Sequence, residues 1–291
     1  MTRPIRALTF QAAALLLALA VSASPAQAKE EAAKAVSIPS GIKHSAWDGL
    51  LQKYVNEQGL VDYGKWKSDK EDLKVLDDYL GQFAPKAATQ AKGNELVASA
   101  INGYNAFAVR WILENYPTDS IQDLTDSFGR KAHEIGGEKV SLNDLEHGTV
   151  RKSIGWRTHA VLVCCARSCP PLQRSAYTAD ELNGQIDTAY RAWLARPDLN
   201  KFEPNDKKAE VSSIFKWYAD DFKQDGEIKK VLDRYAPEQD QAFLKGGDFE
   251  VTYLPYHWGL NDQGGKGKDY SKLDLYWDKI TGAFKSSGDK K

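Results

Sequence analysis

Three cysteines, five histidines and one methionine in 291 residues keep the list of groups able to do nucleophilic or metal chemistry short. The cysteines form no Cys-x-x-Cys pair, which sets a thioredoxin-like redox role aside. A phosphate-binding loop, a dinucleotide fingerprint and a Gly-x-Ser-x-Gly elbow are all missing, which argues against nucleotide use and α/β-hydrolase chemistry. Lys plus Arg number 39 and Asp plus Glu 40, for a net charge of -1. A chain so nearly neutral lacks the field that gathers phosphate backbones, so no nucleic-acid partner is expected. Beyond residue 28 no apolar run reaches the length of about 20 residues that spans a bilayer, so the mature chain carries no membrane span.

What is present is an ordinary globular balance, 42% hydrophobic and 27% charged, with eight Trp, thirteen Tyr and ten Phe to build a core. Met1 to Ala28 reads as a cleavable signal peptide: Arg3 and Arg6 in front, an apolar run from Ala7 to Val21, and Ala26-Gln27-Ala28 as the small-x-small cleavage pattern. Its removal leaves 263 residues of net charge -3, because both arginines leave with it. A periplasmic or secreted protein is the simplest expectation. Lys29 to Pro39 reads as a loose leader, residues 40–261 as a single domain, and 262–291 as a flexible joint followed by a helix carrying Leu273, Tyr276, Trp277, Ile280 and Phe284.

Periodicity supplies the elements. Trp47, Leu50, Leu51 and Tyr54 fit one helical stripe, and Leu73, Leu76, Tyr79, Leu80 and Phe83 a second. Residues 95–115 make the longest helix, which Pro117 ends. Ile135 to Val140, with Gly136-Gly137 at its centre, predicts a tight hairpin. Ser141 and Asp144 open a helix through about Lys152, and Thr178 and Glu181 open another that carries Leu182, Ile186, Ala189 and Trp193. His159 to Cys165 reads as a buried strand, Pro197 to Lys208 as a long loop, Ile214–Phe222 and Ile228–Tyr235 as helices, and Phe249–Tyr256 as a strand. Helices and strands mix without strict alternation, which favours α+β.

The chemistry concentrates between Asn102 and Pro171. Asn102 and Asn105 share one face of an apolar helix; they either tie down a neighbouring loop or line a site. Glu146 sits at the edge of an apolar stripe beside His147, as a structural ion pair with Arg151, Arg157 or Arg167 or as an acid–base group. His159 and Cys164 lie five residues apart, about 17 Å in a straight strand, too far for a contact pair unless the strand breaks. Three thiols in an oxidising compartment leave several arrangements open. Cys164 and Cys169 close a small loop with Cys165 as a buried free thiol; or Cys169 or Cys164 is a nucleophile favoured by Arg167 and a nearby His; or His147, His159 and a Cys hold a metal, for which the spacings match no standard zinc pattern.

The segments Ile101–Ala106, Ser141–His147, His159–Pro171, Ser213–Tyr218 and Tyr256–Asn261 occur here in the order in which they occur in domain of unknown function 547, which the chain resembles from about Gly93 to Asn261. That family is grouped by fold similarity with papain-like cysteine peptidases and their transglutaminase-like relatives. The resemblance implies helices packed on a small antiparallel sheet, with a site where they meet formed by Asn102, Asn105, Glu146, His147, His159, Cys164 and Cys169. Two residues depart from the pattern: Cys165 where Gly is usual, and His257 where an acidic residue is expected. A papain-like site also begins its central helix with the nucleophilic Cys, and the long helix here has none.

Two functional classes follow. In the first, the chain is a thiol-dependent hydrolase or acyltransferase acting on an amide or ester in the cell envelope. Cys169 or Cys164 attacks, His159 or His147 takes the proton, Glu146 orients that His, and Asn102 or Asn105 donates to the oxyanion. In the second, it binds an envelope peptide or glycan without catalysis, through aromatics such as Tyr104, Trp111, Trp217, Tyr218, Tyr253, Tyr256 and Trp258. Neither class calls for a cofactor.

Overall fold

The computed structural model describes residues 34–223 and 227–265. The signal peptide and the C-terminal helix expected around Leu273–Phe284 lie outside the described residues. Three helices come first: α1 (Ser45–Tyr54), α2 (Tyr63–Ser68) and α3 (Lys70–Gly81). Asp62 and Asp69 cap α2 and α3 by accepting the backbone N–H groups of Lys65 and Asp72. The apolar stripes read from the sequence face inward, where Trp47, Tyr54, Trp66 and Tyr79 stack; the Tyr54 and Trp66 rings lie 4.5 Å apart and nearly parallel. Against them runs α4 (Gly93–Asn115), buried continuously from Val97 to Val109. A helix covered on all sides is the central element of an α-rich layer, and its small residues Ala98, Ala100, Gly103, Ala106 and Ala108 let neighbours approach closely.

The hairpin falls where Gly-Gly predicted it. β1 (His133–Ile135) pairs antiparallel with β2 (Glu138–Val140) in the register Ile135 to Glu138, with Gly136 and Gly137 at positive φ. The Ser141–Asp144 capping box then opens α5 (Leu142–Leu145). The chain continues as a π turn (Glu146–Val150), α6 (Arg151–Ile154) and a 3-10 turn (Gly155–Ala160). After α7 (Leu182–Leu194), β3 (Lys201–Glu203) pairs antiparallel with β4 (Lys208–Ser212), and β4 pairs parallel with β5 (Glu250–Leu254). Between β4 and β5 lie α8 (Ser213–Trp217), α9 (Ala219–Lys223), α10 (Glu227–Tyr235) and α11 (Glu238–Leu244). A second aromatic cluster joins these parts, with Trp193 stacked on Phe215 at 4.8 Å and Tyr190 on Tyr235 at 4.9 Å.

The α+β class therefore holds, with three corrections. The larger sheet is mixed rather than antiparallel, since β4–β5 is a parallel pair. The loop expected over Pro197–Lys208 contains β3 and the start of β4, because Ala209 and Val211 turn inward and Phe202 pairs opposite Ala209. The strand expected over His159–Cys165 does not form. Thr158 closes the turn by accepting the N–H groups of Val161 and Leu162, and the Asn105 amide takes the Val161 carbonyl and the Val163 N–H that a neighbouring strand would need. The leader is also firmer than expected. Val36 and Ile38 are buried, Val36 donates to Thr149 at 3.0 Å, and Ile38 accepts from Ala91 at 2.9 Å.

Gly136 locks that leader to the hairpin. It sits at φ +61°, and a Cβ there would overlap the Ser37 carbonyl oxygen; Gly93, at φ +53°, faces open space. Gly93→Ala is expected to cost about 1 kcal/mol, the left-handed penalty alone. Gly136→Ala should cost clearly more and release residues 34–39 to proteolysis. Equal urea midpoints for the two variants would contradict this packing.

Candidate functional site

A π turn widens the helix at Glu146–Val150, and such bulges re-aim side chains at functional sites. Here the bulge brings Glu146, His147 and Arg151 to one face. The Arg151 guanidinium donates to His147 Nδ1 at 2.8 Å, so that nitrogen is an acceptor and a neutral His147 carries its proton on Nε2. The same guanidinium forks onto Asp221 of α9, Nε to Oδ2 at 3.0 Å and Nη2 to Oδ1 at 2.7 Å. Asp221 also accepts from His159 Nε2 at 2.6 Å.

His159 is buried, its side chain 4% exposed, with Tyr218 stacked on it at 4.1 Å and Phe222 at 5.6 Å. Burial pushes the imidazole below its ordinary pKa, against the opposing pull of Asp221. Burial alone would raise the Asp221 carboxyl, but hydrogen bonds from His159 and Arg151 outweigh it and hold the carboxyl down at about 2. The stable arrangement is thus a neutral His159, its Nε2–H donated to an ionised Asp221, leaving Nδ1 as the basic nitrogen. Tyr218 in turn bonds Glu146, whose carboxylate, together with burial, raises the phenol. Burial, with the nearby Glu146 carboxylate, also raises the Tyr104 phenol on α4.

The cysteines occupy the neighbouring corner. Cys164 and Cys169 are joined in a disulfide, their Cα atoms 6.4 Å apart, and Cys165 is a buried free thiol. Tyr256 Oη lies 3.2 Å from Cys164 Sγ and 3.1 Å from Cys169 Sγ. Trp217 packs on Tyr256 at 4.8 Å and precedes Tyr218, so consecutive residues of one helix end touch both halves of the site. Cys165 sits at φ +59°, in the left-handed region that favours glycine. Burial pushes its thiol up to about 12.

The structure brings Glu146, His147 and His159 together, but in other roles than the sequence reading assigned. Asp221, not Glu146, orients His159; Glu146 faces Tyr218, and His147 faces Arg151. Asn102 bonds both the N–H and the carbonyl of Tyr177, and Asn105 does the same across Val161 and Val163. Both amides tie down loops, the first of their two readings. In the disulfide neither Cys164 nor Cys169 offers a thiolate, and among the described residues no histidine nitrogen hydrogen-bonds either sulfur. Arg167 reaches the carbonyls of Asp262 and Gly265 instead of a thiol. Of the site's members, the sequence reading passed over Asp221 altogether. The available signal was its i, i+3 spacing from Tyr218, three residues past the Ser213–Tyr218 segment.

Fold and site together define an α+β domain in which a buried His pairs with a half-buried Asp beside a disulfide. Residues 88–194 match the family model described as protein of unknown function, DUF547. The match takes in the Asn102–Asn105, Ser141–His147 and His159–Pro171 motifs; Asp221, Trp217 and Tyr256 lie beyond it. No curated protein and no solved structure matches the chain.

His159 is one of three imidazoles, two buried and His44 half-buried, that are held below the ordinary value. Burial also lowers His44 and His133 to about 4 each. A depressed histidine takes up its proton in the unfolded chain first, so stability falls as pH drops below about 6.5. His44 and His133 together give a slope of up to about 3 kcal/mol per pH unit near pH 5, and His159 adds in the same direction. Urea unfolding from pH 7.5 to 4.5 should show that decline, and His133→Phe should remove roughly 1 kcal/mol per pH unit of the slope. A stability flat across this window would contradict neutral burial.

Proposed function

We propose that the chain is an exported envelope protein that hydrolyses or transfers an acyl group from an amide or ester, with Cys164 or Cys169 as the nucleophile once their disulfide is reduced. The observation that carries this reading is the hydrogen bond from His159 Nε2 to Asp221. A neutral imidazole pinned through one nitrogen by a carboxylate is the base-and-orienter half of a thiol or hydroxyl nucleophile site. The thiolate would attack the carbonyl carbon, His159 Nδ1 would receive the thiol proton, and the imidazolium so formed would return it to the leaving group while Asp221 balances its charge. In this reading the disulfide form is latent. A papain-like arrangement of helix and sheet fits the same reading, with the nucleophile moved from the central helix to the loop after the 3-10 turn.

The disulfide favours a second reading, in which the domain binds an envelope peptide or glycan without catalysis. Trp217 and Tyr218 are half-buried and Tyr253 is exposed, which leaves aromatic surface for such a ligand.

The two readings part on one comparison. Oxidised and fully reduced protein would be offered fluorogenic amides and esters, including acylated amino-sugar and peptide substrates. Turnover is expected only after reduction, and it should vanish in Cys164→Ser or Cys169→Ser, whichever carries the nucleophile. Asp221→Asn, which favours the wrong imidazole tautomer, should lower kcat by about 10²–10⁴. Absence of turnover in the reduced protein, with peptide or glycan binding intact in the oxidised one, would overturn the hydrolase reading in favour of binding.

A further inference from the structure

The two sulfurs of the disulfide are not equivalent. Cys164 is half-buried, whereas Cys169 is 5% exposed. Cys169 Sγ receives the Cys164 backbone N–H at 3.1 Å, and the Tyr256 hydroxyl lies within reach of both sulfurs, 3.1 Å from Cys169 and 3.2 Å from Cys164. The backbone around Cys169 is also the fixed side of the bridge. Arg167 donates to the Gly259 carbonyl at 2.7 Å, Ser168 to the His257 carbonyl at 3.2 Å, and Ala166 pairs with Leu260. These bonds hold Cys169 against the segment that carries Tyr256.

We propose that the Cys164–Cys169 bridge is a directional thiol-exchange centre, opened by a dithiol that attacks Cys164 and releases Cys169 as a thiolate held by Tyr256. The incoming thiolate forms a bond to Cys164 Sγ, the Cys164–Cys169 bond breaks, and its electron pair goes to Cys169 Sγ. No proton need move in that step, because the Cys164 N–H already donates to the sulfur that gains the charge and the Tyr256 hydroxyl, 3.1 Å away, can turn its O–H toward it. The second thiolate of the dithiol then attacks its own sulfur in the mixed disulfide. Cys164 leaves and takes a proton, the dithiol is oxidised, and the protein's pair is reduced by two electrons. Cys165 stays out of the exchange, because burial keeps it protonated at neutral pH and its thiol faces the Val163 carbonyl. The direction of opening stands on this geometry alone; its meaning as the switch between latent and active states rests on the hydrolase reading.

The test uses oxidised mature protein and glutathione as the probe, a monothiol that arrests the reaction at the mixed disulfide. Short exposures are quenched with iodoacetamide. Trypsin cuts after Arg167, between the two cysteines, and fragment spectra separate Cys164 from Cys165. Glutathione should appear on Cys164 and the alkyl group on Cys169, at least tenfold over the reverse pattern. Tyr256→Phe should slow opening about tenfold and raise the pH at which Cys169 alkylates. An even split or glutathione mainly on Cys169 in the unaltered protein would overturn the proposal without recourse to any variant. Directional exchange without turnover of amides or esters would keep this proposal and remove the hydrolase reading; turnover with undirected exchange would do the reverse.

Discussion

One carboxylate organises the site. Asp221 accepts two hydrogen bonds from Arg151 and one from His159, and so ties the π turn and α6, the 3-10 turn and α9 to a single point. With its side chain 19% exposed, it is dry enough for these charge-assisted bonds to count and wet enough to remain ionised. Removing one partner from such a cluster leaves an uncompensated charge and costs on the order of 3 kcal/mol, whereas the intact cluster adds little net stability. Its contribution is specificity of arrangement. It fixes which nitrogen of His159 carries the proton, and hence which nitrogen is basic.

Two asparagines make that arrangement reachable. Buried amides on α4 would be costly unpaired, and each instead bonds a donor and an acceptor of a passing loop. Asn105 holds residues 161–163, directly between His159 and Cys164, out of any sheet. The segment can then turn sharply enough to place His159 against Tyr218 and Cys164 against Tyr256. In a straight strand the same two residues would lie on opposite faces and far apart. The helix thus supplies position to the site while its own polar groups stay occupied with backbone.

This division explains what could be read in advance. Helix stripes such as Trp47–Tyr54 and the Gly136-Gly137 hairpin are local patterns, and they appear where periodicity and turn chemistry put them. The strand expected at His159–Cys165 failed because Asn105, more than fifty residues away, competes for its backbone groups. The same distance hid Asp221, which meets His159 across 62 positions. Glu146, His147 and His159 were recognisable as chemistry-bearing residues, but their pairing was not, since several Arg and carboxylates of similar spacing were equally suitable. Cys164 and Cys169 were legible as one of three arrangements, and only the fold at Ala166–Cys169 selects the bridge.

The central claim is that burial keeps His159 neutral and Asp221 holds its proton on Nε2. Nitrogen-15 NMR of histidine-labelled protein at pH 7 reads this directly, with Asp221→Asn assigning the signal. A neutral His159 protonated at Nε2, with a downfield hydrogen-bonded proton lost in the variant, is the predicted result. An imidazolium at pH 7, or a ring protonated at Nδ1 in the unaltered protein, would contradict the account.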